Sequence, residues 1–452
     1  MSVALEIARA ALAHADGDAE TLVHVERSGL ARFAQSEIDQ PTLIEDVTVR
    51  LRCVKGGRLG IATTNRIDET GLAELARRAS DAAASAPVDP DFPGLAPTAE
   101  FPRVDGYDEA TASLGPAGQA RLAGEAIAAT ELPLYGFVTS AVTELAIASS
   151  TGLEVEQHLT DAAASVIAAD ERRSGYAEAT GSRVEDVDAA GVAREAAETA
   201  VRTEGAKVPA LGSYAAVLEP YALADLLNYF AYDSFGALGL LEERSYFAGR
   251  IGERVFDEKI SIVDDALDVR GLPKAFDFEG SPKQRVELVS EGVARGVVWD
   301  RTTASHASNG AESTGHAPPP DSADWGPLPQ ALSVRGGDAE SPDELISLIG
   351  EGLYVTRLHY LGVVHPREGV ITGMTRDGTF RVRDGKVAEP LVNLRFTISV
   401  PELLREVVGL TRETKLVNAS AFYGARYPHG LLVPALATTR FNVTGTGSEP
   451  GI

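Results

Sequence analysis

The sequence predicts an α+β protein, in which an N-terminal layer of antiparallel strands and helices is followed by a predominantly β C-terminal half. In the first half, apolar and polar residues alternate along Thr21–Arg27 and Val47–Cys53, as in strands that are buried on one face. A helical pattern with an acidic first turn follows at residues 68–85. Short alternating runs separated by turn residues dominate the later part of the chain. We therefore expect two domains, residues 1–210 and 211–452.

The other elements of the first half follow in order along the chain. An Ala-rich pattern predicts a short helix within residues 1–15, and Gly56-Gly57 supplies the turn between the second strand and a third at Arg58–Thr64. The prolines between Pro87 and Pro102 exclude a continuous helix or a central strand, so this stretch is expected to be a connector. A helix at about 116–130, strand-like runs at 136–170 and an Ala/Glu-rich helix at 187–205 complete this half.

The second half opens with a strand at Tyr214–Leu218 and an amphipathic helix. Leu223, Leu226, Leu227 and Phe230 fall at helical spacing on one face, which predicts that they belong to the core. The segment 310–326 is irregular, and such a long loop is expected to be functional or mobile. Asp-Gly pairs at 377–378 and 384–385 predict turns. Strand patterns occur at 286–289, 293–299, 331–334, 353–360, 379–382 and 395–399.

Composition excludes several classes of function. The chain has 452 residues and a formal net charge of −25 at pH 7. Such a charge disfavours direct binding to nucleic acid or to an anionic membrane surface, because both require clusters of Lys and Arg. The single cysteine, Cys53, cannot form an intramolecular disulfide, which fits a reducing compartment. Since the first residues lack the pattern of a secretory signal and no run approaches the roughly 20 apolar residues of a membrane helix, we expect a cytoplasmic protein.

Histidine is absent from a long central stretch of the chain. No histidine lies between His158 and His306, and Cys53 lies far away in the first half. Protein zinc sites use Cys, His and carboxylate ligands, usually with at least one nitrogen or sulfur donor. The stretch between these two histidines therefore cannot hold an ordinary zinc site.

An ordered series of short motifs lies between about residues 245 and 390. Taken together, the motifs resemble the TldD/PmbA family, whose members pair a zinc-bearing TldD subunit with a metal-free PmbA (TldE) subunit. The first half of the chain matches that family only in its layout of strands, Gly-Gly turn and helix. The motifs are Ser245-Tyr-Phe-Ala-Gly-Arg-Ile-Gly-Glu-Arg-Val255, Asp264-Asp265, Asp277-Phe-Glu-Gly-Ser-Pro-Lys-Gln-Arg285, Glu291-Gly292, Trp299-Asp-Arg-Thr-Thr-Ala304, Ser313-Thr-Gly-His-Ala317, Arg335-Gly-Gly337, Glu344-Leu-Ile346, Gly352-Leu-Tyr-Val-Thr356, Asp384-Gly-Lys386 and Glu389-Pro390.

The resemblance implies where a catalytic site would lie. In catalytic family members, a helix just before the Ser245 motif carries His-Glu-x-x-x-His. The two histidines bind zinc, and the glutamate can act as general base. A cysteine in the C-terminal half is a further zinc ligand. In the corresponding helix of this sequence, Asn228 and Tyr229 replace the first His and the Glu, and Asp233 replaces the second His. This departure resembles the PmbA/TldE type. It implies that this chain binds no metal or other cofactor and that zinc is held by a TldD-like partner.

The same three residues allow two interpretations. Asn228, Tyr229 and Asp233 are candidates for the lining of a vestigial cleft, or they are ordinary polar residues on the exposed side of an amphipathic helix. Ser313, Thr314 and His316 could suggest a nucleophile beside a base, but no G-x-S-x-G elbow is present, so a structural role or contact with a substrate or partner is favoured. Four histidines could form a relocated metal site, although their spacing matches no metal motif and surface or structural roles fit better. They are His306, His316, His359 and His365.

Three hypotheses for function follow. The leading one is a PmbA/TldE-like, non-catalytic subunit of a TldD-type zinc metallopeptidase assembly that processes unfolded or leader peptides as a heterodimer. One alternative is a self-sufficient homodimeric enzyme that uses non-zinc chemistry in the equivalent cleft. The other is a metal-free binding or regulatory protein, which would act through protein contacts because the net charge disfavours DNA.

Overall fold

The structure, a computed structural model, describes residues 2–420 and 426–451. Its N-terminal half combines long strands with helices. The strands are β1 (Asp18–Ala34), β2 (Glu37–Lys55), β3 (Arg58–Thr64), β4 (Leu134–Ser149), β5 (Glu154–Ala169) and β6 (Ser174–Gly181). The helices are α1 (Val3–Leu12), α2 (Glu69–Ser85), α3 (Glu109–Ala112), α4 (Gly115–Ala128) and α5 (Ala189–Arg202).

The six strands form one antiparallel sheet in the order β3-β2-β1-β4-β5-β6. On one face, side chains such as Val23 and Leu51 pack beneath α1 and α2, while α4 and α5 cover the β4–β6 side. On the opposite face, Leu22 and Ile147 pack against Phe276 of the C-terminal half. Successive side chains of a strand point to opposite faces, so both sets of alternating residues are buried. The sheet is therefore covered by helices on one face and by the C-terminal half on the other.

Gly60 allows the helix α2 to approach this sheet closely. A Cβ atom at position 60 would lie 2.1 Å from the backbone nitrogen of Ala83 and 2.2 Å from the carbonyl oxygen of Ala79, both in α2. Gly175 of β6 has an equivalent place beneath α5, where a Cβ atom would lie 2.1 Å from the carbonyl oxygen of Ala196. Glycine is required at both positions because the neighbouring atoms are helix backbone, which cannot move aside independently.

The substitution Gly60→Ala should lower the free energy of unfolding by about 1–3 kcal/mol, the usual cost of overpacking a core. Urea unfolding followed by circular dichroism measures the change. Gly124→Ala is the matched control, because Gly124 is exposed on α4 and a Cβ atom there would meet no other element of the described chain within 4 Å. Alanine is the better helix former by up to about 1 kcal/mol, so this control should be neutral or stabilising. Equal losses in the two variants would contradict the close-approach explanation.

The C-terminal half is rich in strands, with α6 as its longest helix. The strands are β7 (Gly212–Leu218), β8 (Ile262–Asp264), β9 (Val286–Ser290), β10 (Val293–Ala294), β11 (Leu332–Val334), β12 (Gly352–His365), β13 (Val370–Arg383), β14 (Lys386–Pro390), β15 (Leu394–Ser399), β16 (Val407–Leu410), β17 (Lys415–Asn418), β18 (Gly430–Val433) and β19 (Leu436–Thr446). The helices are α6 (Pro220–Ser234), α7 (Ala237–Leu241), α8 (Arg301–Ser305), α9 (Pro342–Ile349) and α10 (Val400–Arg405).

These strands form two sheets on either side of α6. In the larger sheet the order is β12-β7-β19-β15-β13-β14, and β12 also pairs with β13, so five of its strands close into a ring. The smaller sheet has the order β10-β9-β8-β11-β18-β17. Helix α6 packs against β12 of the ring and against β17 and β18 of the smaller sheet. The helix that the sequence singled out therefore lies at the centre of the C-terminal half.

The predicted α+β fold class is confirmed, including the antiparallel first half and the β-rich second half. Two local predictions are wrong. The run 293–299 contributes only the short strand β10, and Asp377-Gly378 lies inside β13 instead of ending a strand. Two residues of β13 oppose one residue of β12 at this point, and both have positive φ, which is the geometry of a bulge. The Asp377 carboxylate accepts a hydrogen bond of 2.7 Å from Arg357 on β12.

Candidate functional site

Helix α6 has an apolar face that builds the core and a polar face that borders cavities. Pro220 at its first turn starts the helix, since proline fits where no backbone N–H is needed. Leu223, Leu226, Leu227 and Phe230 are all buried in the large C-terminal core, as the apolar pattern predicts. The polar side chains of the helix consequently point away from this core.

The structure places the three candidate cleft residues in three different environments. Asn228 lines a cavity of about 350 Å³, which we call the Asn228 cavity. Tyr229 lines a separate cavity of about 350 Å³, which we call the Tyr229 cavity. Asp233 lies in an ion pair with Arg244, with 2.8 Å between Oδ1 and Nη1. These three side chains therefore do not converge on one point.

The walls of the Asn228 cavity come from distant parts of the chain. His429 is the basic side chain on its wall, and burial, together with the nearby ammonium group of Lys274, lowers the pKa of His429 to about 4. Its Nε2 atom has no hydrogen-bond partner among the described residues. His429 is thus a neutral imidazole at pH 7 whose Nε2 atom is buried. The remaining lining residues are Ala231, Tyr232, Pro318, Pro319, Asp321, Ser322, Leu328, Pro329, Gln330, Ala419 and Tyr427.

Ser313, Thr314 and His316 do not line the Asn228 cavity. His316 is fully buried, with its Nε2 atom 2.8 Å from Oδ1 of Asp264 and its Nδ1 atom 2.9 Å from Oγ1 of Thr314. Thr314 Oγ1 also accepts a hydrogen bond from the backbone N–H of Trp299. This hydroxyl, imidazole and carboxylate chain resembles the order of a catalytic triad, but His316 and Asp264 are both fully buried and bonded to each other.

Asp264 connects this loop to the floor of the Asn228 cavity. Its Oδ2 atom accepts hydrogen bonds from the backbone N–H groups of Gln330 (2.7 Å) and Ala331 (2.8 Å). Burial alone would raise the pKa of Asp264, but His316 and these donors outweigh burial and hold the pKa well below its ordinary value. The side chain of Gln330, which lines the cavity, accepts a hydrogen bond of 2.7 Å from the buried ammonium of Lys283.

The Tyr229 cavity contains a second group of ionisable residues. Glu178 accepts hydrogen bonds from the Tyr176 hydroxyl (2.6 Å) and from the backbone N–H of Asn418 (2.7 Å). Burial raises the pKa of Asp225 to about 7, although the guanidinium of Arg357 opposes that shift. Asp225 therefore changes protonation near neutral pH and is suited to accept or donate a proton.

Sequence models of one family match the chain in three consecutive segments. Their descriptions are PmbA/TldA metallopeptidase domain 1 for residues 19–83, the central domain for residues 101–204 and the C-terminal domain for residues 211–445. The last segment alone covers more than half of the chain. This chain belongs to the PmbA/TldD family. The resemblance drawn from the motifs between residues 245 and 390 is thus confirmed.

Individual relatives agree with this assignment. An uncharacterized protein of Methanocaldococcus jannaschii is 31% identical over 185 residues, which are 41% of this chain and 43% of that protein. A metalloprotease of Methanothermobacter thermautotrophicus is 29% identical over 241 residues, 51% of this chain and 50% of that protein. The chain spans about half the length of these curated relatives. TldE from Thermococcus kodakarensis has the same fold, with a TM-score of 0.84 at 19% identity over 97% of this chain and 99% of that chain.

The α6 residues of this PmbA/TldD family member do not fit a zinc ion. A zinc site needs several donors around one point, whereas Asn228 and Tyr229 line different cavities and Asp233 is paired with Arg244. Within residues 2–420 and 426–451, the one group of three His, Cys, Asp or Glu side chains with donor atoms close enough to share a metal is Asp89, Asp91 and His306. That group is at the surface, away from α6, and exposed acidic groups commonly occur without a metal.

The four histidines considered for a relocated metal site do not meet. His316 is bonded to Asp264, His306 lies 3.8 Å from Asp89, His359 lines the Tyr229 cavity and His365 is exposed at the end of β12. None of the helices in the described part of the chain combines the length and apolar character needed to cross a membrane.

Sequence reasoning missed most of the polar residues around the Asn228 cavity. His429 and Tyr427 lie outside every motif that carried the family resemblance. Asp264 and Lys283 do lie within those motifs, and both are buried and charged in the structure. A charged residue within such a motif is a signal that could have directed attention to this network.

Proposed function

We propose that this chain is a PmbA/TldE-type subunit that has no catalytic zinc of its own and assembles with a zinc-bearing TldD-like subunit to process unfolded or leader peptides. The observation that carries the proposal is the polar face of α6. At the three positions that correspond to His-Glu-x-x-x-His in catalytic members, this chain has Asn228, Tyr229 and Asp233, and their surroundings differ from one another. The fold shared with a TldE supports the same conclusion.

Two exposed surfaces support assembly with another chain. Residues 37–48 of β2 pair with β1 only, because β3 pairs with β2 at Val49–Lys55, and this edge exposes Leu43 and Ile44. Near the end of β12, Tyr360 is 77% exposed, and Val363 and Val364 are also exposed. Apolar surface groups such as those on β12 are the features onto which a partner subunit commonly docks. An unpaired strand edge such as that of β2 can accept an extended peptide strand.

Co-expression with a TldD-like protein tests the proposal. We expect native mass spectrometry to show a heterodimer, metal analysis to find one zinc per heterodimer, and peptidase activity on an unfolded polypeptide such as casein only in the complex. A matched control carries Gln in place of the Glu in the partner's His-Glu-x-x-x-His motif; it should assemble normally but lose activity. Stoichiometric zinc and peptidase activity in this chain alone would overturn the proposal.

A second candidate function rests on the Tyr229 cavity. Asp225, with its pKa of about 7, and the neighbouring Glu178 face a cavity large enough for a small ligand. Such a cavity would suit a self-sufficient enzyme that uses proton transfer instead of zinc chemistry. Activity of a homodimer that Asp225→Asn abolishes, with no partner present, would favour this candidate over the first.

A further inference from the structure

A cleft separates one face of the N-terminal sheet from the C-terminal half. Its largest part, which we call the sheet cleft, has a volume of about 670 Å³ and is bordered by β1, β2 and β3 on one side and by α7 and α8 on the other. A smaller cavity of about 80 Å³, which we call the Arg50 cavity, adjoins it and shares Leu22, Arg50 and Phe278. The Arg50 cavity also shares Pro319, Asp321 and Tyr427 with the Asn228 cavity. Adjoining cavities therefore lead from the sheet cleft to α6.

Arg50 brings an unpaired guanidinium to these adjoining cavities. It lies on β2, paired through its backbone with β1 and β3, and lines both the Arg50 cavity and the sheet cleft. Its guanidinium has no ion pair or hydrogen bond with any residue in the described part of the chain. Arg52, two residues further along the same face, is paired with the buried carboxylate of Glu20. Burial, together with the charge of Arg52, lowers the pKa of Arg50. A partly buried guanidinium without a counter-ion is costly unless a ligand supplies one.

The surroundings of Arg50 suit a carboxylate. The hydroxyl group of Thr63 lines the same small cavity and can donate a hydrogen bond to an anion. The hydroxyl group of Thr48 lines it as well and can donate to an anion in exchange for its long 3.5 Å bond to Asp46. A guanidinium pairs with a carboxylate through two parallel hydrogen bonds. Asp321 lines the cavity as well, and Glu20 lies nearby. These acidic neighbours disfavour an anion of higher charge such as a phosphate.

The sheet provides a path by which a peptide carboxylate can reach Arg50. Along residues 37–48, the edge of β2 that faces away from β1 has no pairing strand in the described part of the chain. The reason is that β3 pairs with β2 only from the point where Thr64 lies opposite Val49. A peptide strand added to that free edge, parallel to β2, would end beside Thr63 and Thr64. Its C-terminal carboxylate would then lie next to the Arg50 cavity.

We propose that Arg50 binds a carboxylate of an extended peptide in the Arg50 cavity. The C-terminal carboxylate is the expected source, and an Asp or Glu side chain of the peptide has the same chemistry. This inference rests on the proposed function in so far as it takes the ligand to be a peptide. Binding of the carboxylate requires neither zinc nor a partner subunit. The experiment can therefore support or overturn this inference whether or not the chain assembles with a TldD-like subunit.

Fluorescence anisotropy on the full chain tests the inference with three N-terminally labelled peptides. The first is Gly-Ser-Ala-Val-Ser-Ala with a free C-terminal carboxylate, the second is its C-terminal amide, and the third is an amide with Glu as the last residue. We expect the free carboxylate to bind about 10- to 100-fold more tightly than the amide, as a charged hydrogen-bonded pair provides. Arg50→Gln should remove this difference, and Arg50→Lys should retain part of it because the charge remains without the planar fork.

Arg32→Gln is the matched control, since Arg32 is an exposed arginine of β1 that lines neither the sheet cleft nor the Arg50 cavity. Thermal unfolding should show that the Arg50 variants remain folded. Equal binding of the free and amidated peptides, a difference that persists in Arg50→Gln, or no binding of any peptide would overturn the proposal. Arg50-dependent binding of the Glu-amide peptide would support the carboxylate site and assign its source to a side chain.

Discussion

Asp264→Ala should lower the free energy of unfolding by about 3–5 kcal/mol, the cost of removing one partner from a buried, hydrogen-bonded charge network. The substitution removes the acceptor for His316 and for the backbone N–H groups of Gln330 and Ala331. It also removes a negative charge that stabilises the buried ammonium of Lys283. Each donor that is left buried without a partner adds its own desolvation cost.

Urea unfolding at pH 7 measures this loss. Asp264→Asn keeps the shape and one acceptor oxygen, so it should destabilise the protein less than alanine does. Asp39→Ala is the surface control, because Asp39 is exposed and its loss should change stability by less than about 0.5 kcal/mol. If Asp264→Ala unfolds at the same urea concentration as the control, His316 and the 313–317 loop are held by other contacts.

The same residue makes part of the stability dependent on pH. The pKa of Asp264 is held below that of an ordinary aspartate, so the folded protein binds fewer protons at this position than the unfolded chain does near pH 4. The stability contributed by Asp264 is therefore complete at pH 7 and is lost as pH falls below about 4. The alanine variant should show a weaker dependence of stability on pH across that range.

Arg426→Ala should also lower the free energy of unfolding by about 3–5 kcal/mol. Its guanidinium is paired with Asp161 of β5, and Nη1 donates a hydrogen bond of 2.8 Å to Thr139 of β4. The Arg426 and Asp161 side chains are 5% and 4% exposed, so the variant would leave a buried carboxylate without its counter-charge. Because Arg426 belongs to the C-terminal half, the pair joins that half to the N-terminal sheet.

A double-mutant cycle separates the interaction energy of the Arg426–Asp161 pair from the cost of losing each side chain alone. Asp161→Leu combined with Arg426→Met removes both charges and should recover much of the stability lost by Arg426→Met alone, since replacing a buried ion pair with apolar groups is often nearly neutral. Urea unfolding of the four proteins gives the coupling energy. A double variant that is as unstable as the sum of the two single variants would show that the residues act independently.

Local patterns determined how much of the fold the sequence could predict. The apolar stripe of α6 was predictable because helical spacing depends only on neighbouring residues, and the same holds for the turn at Gly56-Gly57. Asp377-Gly378 was misjudged because positive φ suits a bulge as well as a turn. Whether a bulge or a turn forms here depends on pairing with β12, which the neighbouring residues in the sequence cannot reveal.

The candidate site required contacts that sequence spacing cannot supply. Asn228 was identified by its position in a family motif, but His429 and Gln330 reach the same cavity from segments one hundred or more residues away. The neighbouring residue Tyr229 faces another cavity because adjacent helical residues differ by about 100° in direction. The alternation along Val47–Cys53 indicates that Arg50 lies on the polar face of its strand, but the structure covers that face with the C-terminal half. The sequence pattern therefore could not show that the Arg50 guanidinium lines a cavity.

The two faces of α6 should tolerate substitution differently, because one is buried in the core and the other borders cavities. A mutation on the buried face disturbs two sheets at once, so evolution can change it only at the expense of the fold. A mutation on the polar face alters a cavity wall and leaves the architecture intact. Substitutions at a few positions of the polar face can therefore change the chemistry of the cavities while the fold is retained.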